Sequence, residues 1–310
     1  MTKVLFILGC TGCGKGAVAR EVARRLGGQI VSVDSMKIYR RMDIGTAKPS
    51  RADRELLPHH CLDLVEPSES FSVAQFVGEA DRAIERIVAG GGVPVAAGGT
   101  SLYIKALTEG LFEGPSADAA VRAALTERAR QGGLAALHAE LAAVDPAAAE
   151  RIHPNDERRI VRALEVYQAT GTPISQLQRQ WDAGARRYEC VMIGLRRDKA
   201  DQAGRINLRA RRMMDLGLVA EVAALLAEPA GLSVQAAQAV GYAEMIDHLQ
   251  GRCSVEEAFE RIKINTRQLA KKQRTWHRRF EGAAWLDLAP DEPVAQTAGR
   301  ILEQVGDRVR

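Results

Sequence analysis

The stretch Val4-Leu5-Phe6-Ile7-Leu8-Gly9-Cys10-Thr11-Gly12-Cys13-Gly14-Lys15-Gly16 decides the fold. Its first five residues form a short unbroken apolar run, the pattern of a strand buried on both faces. Gly9 to Gly16 then matches G-x-x-x-x-G-K, a loop whose backbone N–H groups turn towards phosphate oxygens. Ala17 to Leu26 continues with apolar residues at helical spacing and stops at Gly27-Gly28. The N-terminus of that helix and Lys15 both favour an anion. The last position of the loop is Gly16, where serine or threonine would offer Mg²⁺ a hydroxyl. Its absence weighs against a kinase or ATPase without removing diphosphate binding. In this setting Cys10 and Cys13 read as small loop residues rather than a redox or metal pair.

Working outward, Ile30-Val31-Ser32-Val33 is a second predicted strand, which delivers Asp34 and Ser35 at its carboxyl end. Phe71 to Val88 places Val73, Phe76, Val77, Ala80, Ile84 and Ile87 along one helical stripe, and Val93 to Ala97 is a third strand running into Gly98-Gly99-Thr100. Strand, helix, strand, helix, strand is a parallel α/β core, and ligands of such sheets gather at the carboxyl ends of the strands. Beyond Gly110 the character changes. Residues 112–186 are rich in alanine, arginine and glutamate and predict a mostly helical insertion. Tyr188 to Leu195 reads as a strand returning to the sheet, followed by helices over 199–217, 218–228, 234–249, 254–280 and 292–306. The expected architecture is a P-loop NTPase-like parallel sheet core built from residues 1–111 and 187–310, interrupted by a helical domain over 112–186.

The bulk properties bound the function. A net charge of +4 over 310 residues is too small to prove a polyanionic partner, so the placement of the charge matters more. No apolar run approaches the ~20 residues of a membrane helix, and the N-terminus lacks a cleavable leader pattern. A cytoplasmic protein with no membrane partner is expected. The five scattered cysteines do not form a disulfide framework.

Two basic patches stand out. Lys263, Arg267, Lys271, Arg274 and Arg278 follow one another at steps of four, four, three and four, one face of a helix with Glu260 as the nearby acid. Lys272, Arg279 and Trp276 broaden it. Arg151, Arg158, Arg159 and Arg162 form a second patch on the insertion. Patches on separate modules suit a clamp on a folded RNA whose loop bases are read unstacked. His153, beside Pro154-Asn155-Asp156, reads as a helix-entry residue.

Asp34-Ser35-Met36-Lys37-Ile38-Tyr39-Arg40 and Met42-Asp43-Ile44-Gly45-Thr46-Ala47-Lys48-Pro49 resemble the acceptor-binding signature of the tRNA dimethylallyltransferase family. So do Pro58-His59-His60, Gly98-Gly99-Thr100-Ser101-Leu102-Tyr103, Pro115-Ser116-Ala117-Asp118, His153-Pro154-Asn155-Asp156 with Arg159 and Arg162-Ala163-Leu164-Glu165, Gly241-Tyr242, and Thr266-Arg267-Gln268-Leu269-Ala270-Lys271-Lys272-Gln273. These matches arrive in family order from residue 4 to about 287.

The resemblance implies a prenyl transfer from dimethylallyl diphosphate to N6 of the adenosine immediately 3′ of the tRNA anticodon. It makes Asp34 the general base, sets Thr100 beside the reacting centre, and gives the diphosphate to Gly9, Cys10, Thr11, Gly12, Cys13, Gly14, Lys15 and Gly16, with Arg209 on the opposite side. It gives tRNA contacts to Asp34, Ser35, Met36, Lys37, Thr100, Arg122, Arg158, Arg159, Ile160, Val161, Arg162, and Gln238, Ala239, Val240, Gly241, Tyr242 and Ala243. Its implied cofactor is Mg²⁺, its partner the anticodon stem-loop of tRNA, and its form a monomer. Two departures are Gly16, which lacks the family's usual hydroxyl, and Ala243, where a basic or glutamine residue is common.

The chemistry is consistent on its own terms. An adenine amino group has a delocalised lone pair and needs a carboxylate within about 3 Å to take its proton. A diphosphate leaving group needs preorganised donors, and an allylic carbon tolerates positive charge without a protein nucleophile. Read without the resemblance, Asp34 and Thr100 are also explained as cap or turn residues at strand ends. Arg205, Arg209 and Arg212 share a helix face that suits solvent as well as a ligand. A kinase on the same core and a non-catalytic P-loop RNA-binding protein remain the alternatives at this point.

Overall fold

Val4, Leu5, Phe6, Ile7 and Leu8 are all fully buried, as a strand covered on both faces must be. In the computed structural model, which describes residues 1–111, 114, 118–178 and 186–309, they lie within β1 (Lys3–Gly9). Alternation along the strand sends Val4, Phe6 and Leu8 into one apolar cluster and Leu5 and Ile7 into another. Each such side chain, fully buried, contributes about 1.5–3 kcal/mol.

The chain divides into two compact units, Met1–Thr108 with Arg187–Arg310, and Glu109–Arg186. In the first, β1 leads through the loop into α1 (Lys15–Arg25), then β2 (Gln29–Val33), α2 (Arg51–Leu56), β3 (His59–His60), α3 (Val73–Ala89), β4 (Pro94–Gly98) and α4 (Ser101–Glu109). After the second unit come β5 (Glu189–Arg197), α10 (Lys199–Asp215), α11 (Leu218–Leu226), α12 (Val234–Ala237), α13 (Tyr242–Leu249), α14 (Val255–His277), β6 (Ala284–Leu288) and α15 (Val294–Val305). The six strands order as β3-β2-β4-β1-β5-β6 and every pairing is parallel. This is a P-loop-like α/β core. β1 is central, with β4 on one side and β5 on the other, so the loops after β1, β4 and β2 emerge together along one sheet edge.

The second unit is helical among its described residues: α5 (Ala119–Gly132), α6 (Leu134–Val144), α7 (Pro146–Arg151), α8 (Glu157–Thr170) and α9 (Ile174–Leu177), packed around Leu125, Leu137, Leu141, Ile160, Val161 and Leu164. Of the Pro115–Asp118 motif, residues 115–117 lie outside the described residues. Asp118 caps α5, its carboxylate accepting the N–H groups of Ala120 and Val121.

Three expectations need correction. The helix expected over 234–249 is two helices, because Gly241 adopts φ 101°, a left-handed conformation only glycine enters at little cost. The strand β6 and the two-residue β3 went unread; both are short sheet edges. The helix start expected at Phe71 falls at Val73, where Ser72 and Gln75 form a capping box.

One buried group shapes the pH response of this fold. His277, at the end of α14, is 2% exposed and packs its ring near Phe280 and Trp285. Neither ring nitrogen has a hydrogen-bond partner of ordinary geometry. Burial, with the nearby Lys15 charge adding and the Gly99 carbonyl opposing, pushes its pKa down to about 4. Between the ordinary 6.5 and about 4 the unfolded chain takes a proton that the folded chain refuses, so stability falls as pH falls through that window. His277→Phe removes the titration. Relative to the unmodified chain it should gain about 2 kcal/mol on going from pH 7 to pH 5, checked by denaturant titrations at the two pH values.

Candidate active site

A cavity of about 580 Å³ opens at the carboxyl edge of the sheet. Thr11, Gly12, Gly14, Lys15 and Gly16 line it from the loop after β1, Asp34 to Lys37 from the segment after β2, and Thr100 from the end of β4. Asp34 and the glycine-rich loop therefore share one space. The loop takes its shape from Gly12 and Gly14, at φ 83° and 91°. The strands approach so closely at their ends that a Cβ on Gly98 would sit 2.0 Å from the Val33 carbonyl oxygen. Only glycine fits there, and it draws the Thr100 loop against the Asp34 segment.

Asp34 folds back in a tight turn, with Oδ1 accepting the Met36 N–H at 3.0 Å. Among the described residues lining the cavity it is the one carboxylate. Thr100 Oγ1 accepts the Ser35 N–H at 3.1 Å, tying the two loops. Lys37 lies in the same field: burial, opposed by Asp34 and reinforced by Lys15, Arg209 and Arg20, pushes its ammonium down to about 8. Lys15 Nζ donates to the Cys10 carbonyl at 3.5 Å, and Cys10 itself is buried, its thiol pushed up to about 11 by burial. From α10, Arg209 Nη2 donates to Thr11 Oγ1 at 2.7 Å. Burial lowers the basicity of Arg209, and Asp34 pulls it back up.

The segment 238–243 divides. Gln238, Ala239 and Val240 line the cavity. Tyr242 is fully buried, and its hydroxyl donates to Glu221 Oε1 at 2.5 Å. Glu221 in turn accepts the N–H groups of Asp43, Ile44 and Gly45. Tyr242 thus shapes the 43–45 turn from below, and its side chain has no free surface. Lys48 is likewise enclosed, 1% exposed, with Asp43 at 2.5 Å and Asp63 at 2.7 Å.

The basic helix face is less uniform than its spacing suggests. Lys271 and Arg278 are exposed, as are Lys272 and Arg279. Lys263 pairs with Glu260 at 2.6 Å and lies over the Phe259 ring. Arg267 reaches Asn207 at 3.4 Å, and Arg274 turns inward to Gln202 at 2.6 Å. On the helical unit, Arg158 and Arg159 are exposed, and Arg159 lies 3.4 Å from Asp156. Arg122 and Arg162 share the buried Glu165, at 2.8 and 3.1 Å. Burial opposes ionisation of Glu165, but those guanidinium hydrogen bonds hold its carboxyl below the usual range. Ile160 and Val161, 0% and 3% exposed, are core residues, so their side chains offer no surface to a nucleic acid.

Residues with no role expected from the sequence also line the cavity: Thr46, Ala47, Thr266, Leu269 and Gln273 from within the motifs, and Met213 and Ile262 from outside them. Gln273 and Gln202 both reach the phosphate loop, Gln273 to the Thr11 N–H and Gln202 to the Thr11 carbonyl, each at 2.7 Å. An uncharged amide leaves no charge pattern by which such a role is recognised.

Known proteins agree with the resemblance read from the motifs. The sequence pattern of the IPP transferase family matches residues 37–280. A tRNA dimethylallyltransferase of Anaeromyxobacter dehalogenans is 46% identical over 301 residues, 97% of each chain, and one of Geobacillus thermodenitrificans is 42% identical over 313 residues, 99% of this chain and 98% of the other. The tRNA isopentenylpyrophosphate transferase structure of Bacillus halodurans superposes with a TM-score of 0.71 at 37% identity, covering 99% of this chain and 98% of that one. A eukaryotic dimethylallyltransferase acting on tRNA gives 0.84 at 25% identity, covering 100% of this chain and 80% of that one. Matched by the family model over most of its length and 46% identical to a member over 97% of each chain, the chain belongs to the IPP transferase family.

Proposed function

We propose that this protein transfers the dimethylallyl group from dimethylallyl diphosphate to N6 of the adenosine immediately 3′ of the anticodon in tRNA, releasing diphosphate. The observation that carries the reading is the single cavity lined by both Asp34 and the loop from Thr11 to Gly16. The N6–C1 bond forms as the C1–O bond to diphosphate breaks, and the amino proton passes to Asp34. The adenine leaves its stack to reach the cavity. Loop N–H groups, Lys15 and Arg209 take up the charge growing on the leaving group. Thr100 braces the Asp34 turn through the Ser35 N–H.

The acceptor side is the segment Asp34 to Lys37, Thr100 and Gln238 to Val240, which line the same cavity. Lys271, Arg278 and Arg267 on α14, and Arg158 and Arg159 on the helical unit, meet phosphates of the anticodon stem-loop, which bind through charge and shape. Arg122 and Arg162 serve through their shared Glu165. A kinase of this core would use a hydroxyl at position 16 to help hold its metal, and Gly16 has none, so the kinase alternative is not favoured.

Magnesium fits this cavity as a companion of the diphosphate. No cluster of three or more His, Cys, Asp or Glu side chains suited to a metal exists among the described residues, and Asp34 is the one carboxylate at the wall. Diphosphate oxygens and water would supply most ligands, with the remaining lone pair of the Thr11 hydroxyl as the protein's contribution and Asp34 left free to act as base. When bound, the ion neutralises charge on the departing diphosphate.

Four outcomes test the reading. Purified protein with dimethylallyl diphosphate, Mg²⁺ and unmodified tRNA should yield N6-dimethylallyladenosine by nucleoside mass spectrometry. Asp34→Asn should slow turnover by about 10²–10⁴-fold with RNA binding intact; undiminished turnover would remove Asp34 as the base. Gly16→Ser adds a hydroxyl where a Cβ meets nothing nearer than Arg20 Nη1 at 3.9 Å. It should lower the Mg²⁺ needed for half-maximal rate by roughly fivefold in a magnesium titration. Lys271→Ala should weaken RNA binding and flatten the plot of log affinity against log salt by about one unit of slope, measured by filter binding at several salt concentrations.

A further inference from the structure

Thr11 is held at every polar atom it has. Its N–H donates to Gln273 Oε1 at 2.7 Å, its carbonyl accepts from Gln202 Nε2 at 2.7 Å, and its hydroxyl oxygen accepts from Arg209 Nη2 at 2.7 Å. The other end of Gln273 crosses to the neighbouring strand end: Nε2 donates to the Gly99 carbonyl at 2.9 Å. The fit is close, because a Cβ on Gly99 would stand 2.6 Å from that nitrogen. Gly99 precedes Thr100, whose hydroxyl oxygen holds the Ser35 N–H next to Asp34.

The amide orientations are dictated by these partners. Gln273 must present its oxygen to an N–H and its nitrogen to a carbonyl. Gln202 is fixed in the same way, because Arg274 Nη1, a pure donor, occupies Gln202 Oε1 at 2.6 Å and leaves Nε2 for the Thr11 carbonyl. Asparagine and glutamine alone offer an uncharged side chain with an acceptor and a donor side by side, and glutamine is the longer. Gln273 and Arg274 both belong to α14, the helix whose exposed side carries Lys271 and Lys272.

From this geometry we propose that Gln273 is a positioning residue that sets the spacing between the diphosphate loop and the Asp34–Thr100 pair, with Gln202 as its brace on the Thr11 carbonyl. The proposal rests on the transferase reading, because it assigns Gln273 the job of holding donor and acceptor sites in register. It acts by bridging two loops and touches neither reacting atom. In-line transfer needs the reacting atoms within about 3–3.5 Å, so a loosened bridge costs rate even when both substrates still bind.

The test compares Gln273→Met and Gln273→Glu with the unmodified chain in the tRNA prenylation assay from pH 8 to pH 5.5. Rates are expressed per folded molecule, counted by near-ultraviolet circular dichroism. Gln273→Met, similar in length but without either hydrogen bond, should lose about 10–100-fold in kcat with smaller changes in the two KM values. Gln273→Glu cannot donate to Gly99 while ionised, so at pH 8 it should be as slow or slower. Protonated, it regains a donor for Gly99 and keeps an acceptor for Thr11. Its rate relative to the unmodified chain should therefore climb above the methionine variant as pH falls. Removal of a charge alone would bring it only to the methionine level, and that result overturns the bridge. So does a methionine variant with unchanged kcat. Should the methionine variant not fold, recovery of the glutamate variant towards the unmodified rate decides the matter, and a flat ratio overturns the proposal. An unmodified chain that transfers nothing contradicts the transferase reading and takes this inference with it, whereas normal activity with an indifferent Gln273 contradicts the bridge alone.

Discussion

Adjacent strands of a sheet lie about 4.8 Å apart, and that spacing is the constraint on which the site depends. Because β2, β4 and β1 are neighbours in a wholly parallel sheet, their carboxyl ends open along one edge. The phosphate loop, Thr100 and Asp34 follow directly from those three ends. The cost of this closeness appears in the glycines: Gly98 has no room for a side chain against Val33, and Gly99 none against Gln273. The active-site cavity is thus a consequence of strand order, and the helices that close it supply charge and bracing.

The charge around the cavity is deliberately unequal. Lys15, Lys37, Arg205 and Arg209 face one carboxylate, Asp34. In the proposed reaction a diphosphate entering this space would meet cations already desolvated on folding, since burial lowers the basicity of Lys37 and Arg209. Preorganised charge of this kind is worth more than the same charge in water, because it need not reorient as the leaving group gains its negative charge. In the proposed reaction the missing hydroxyl at Gly16 would leave the holding of a metal largely to the diphosphate itself.

Much of this was legible in the sequence, for physical reasons that differ by element. The central strand showed as an unbroken apolar run because both of its faces are covered, and the loop after it showed because its glycines have a backbone role that no other residue fills. The stripe of α3 and the spacing of α14 were readable from period alone. The edge strands were not: His59–His60 is two residues long, and most of Ala284–Leu288 is only half-buried, so neither had a pattern to read. The helix expected through Gly241 failed because composition cannot distinguish a tolerated glycine from one at φ 101°. Within the site, charged and motif residues were found, whereas Gln202 and Glu221 were not, and Gln273, the last residue of its motif, carried no expected role. Their partners are backbone atoms 174 to 262 residues away in the case of Gln202 and Gln273, a relation no local pattern encodes. The regular spacing of the basic face concealed the opposite problem, since Arg274 turns inward to Gln202 and Lys263 is already paired.

The central claim is geometric: one cavity brings the acceptor nitrogen between Asp34 and a diphosphate gripped by the loop. A crystal structure of the protein with an anticodon stem-loop and a non-hydrolysable thiolodiphosphate analogue of the donor measures that arrangement. The account predicts the adenine flipped from its stack, with N6 within about 3–3.5 Å of both an Asp34 carboxylate oxygen and C1 of the prenyl chain. An analogue seated away from the Thr11–Gly16 loop, or an Asp34 carboxylate turned away from the adenine amino group, would contradict it.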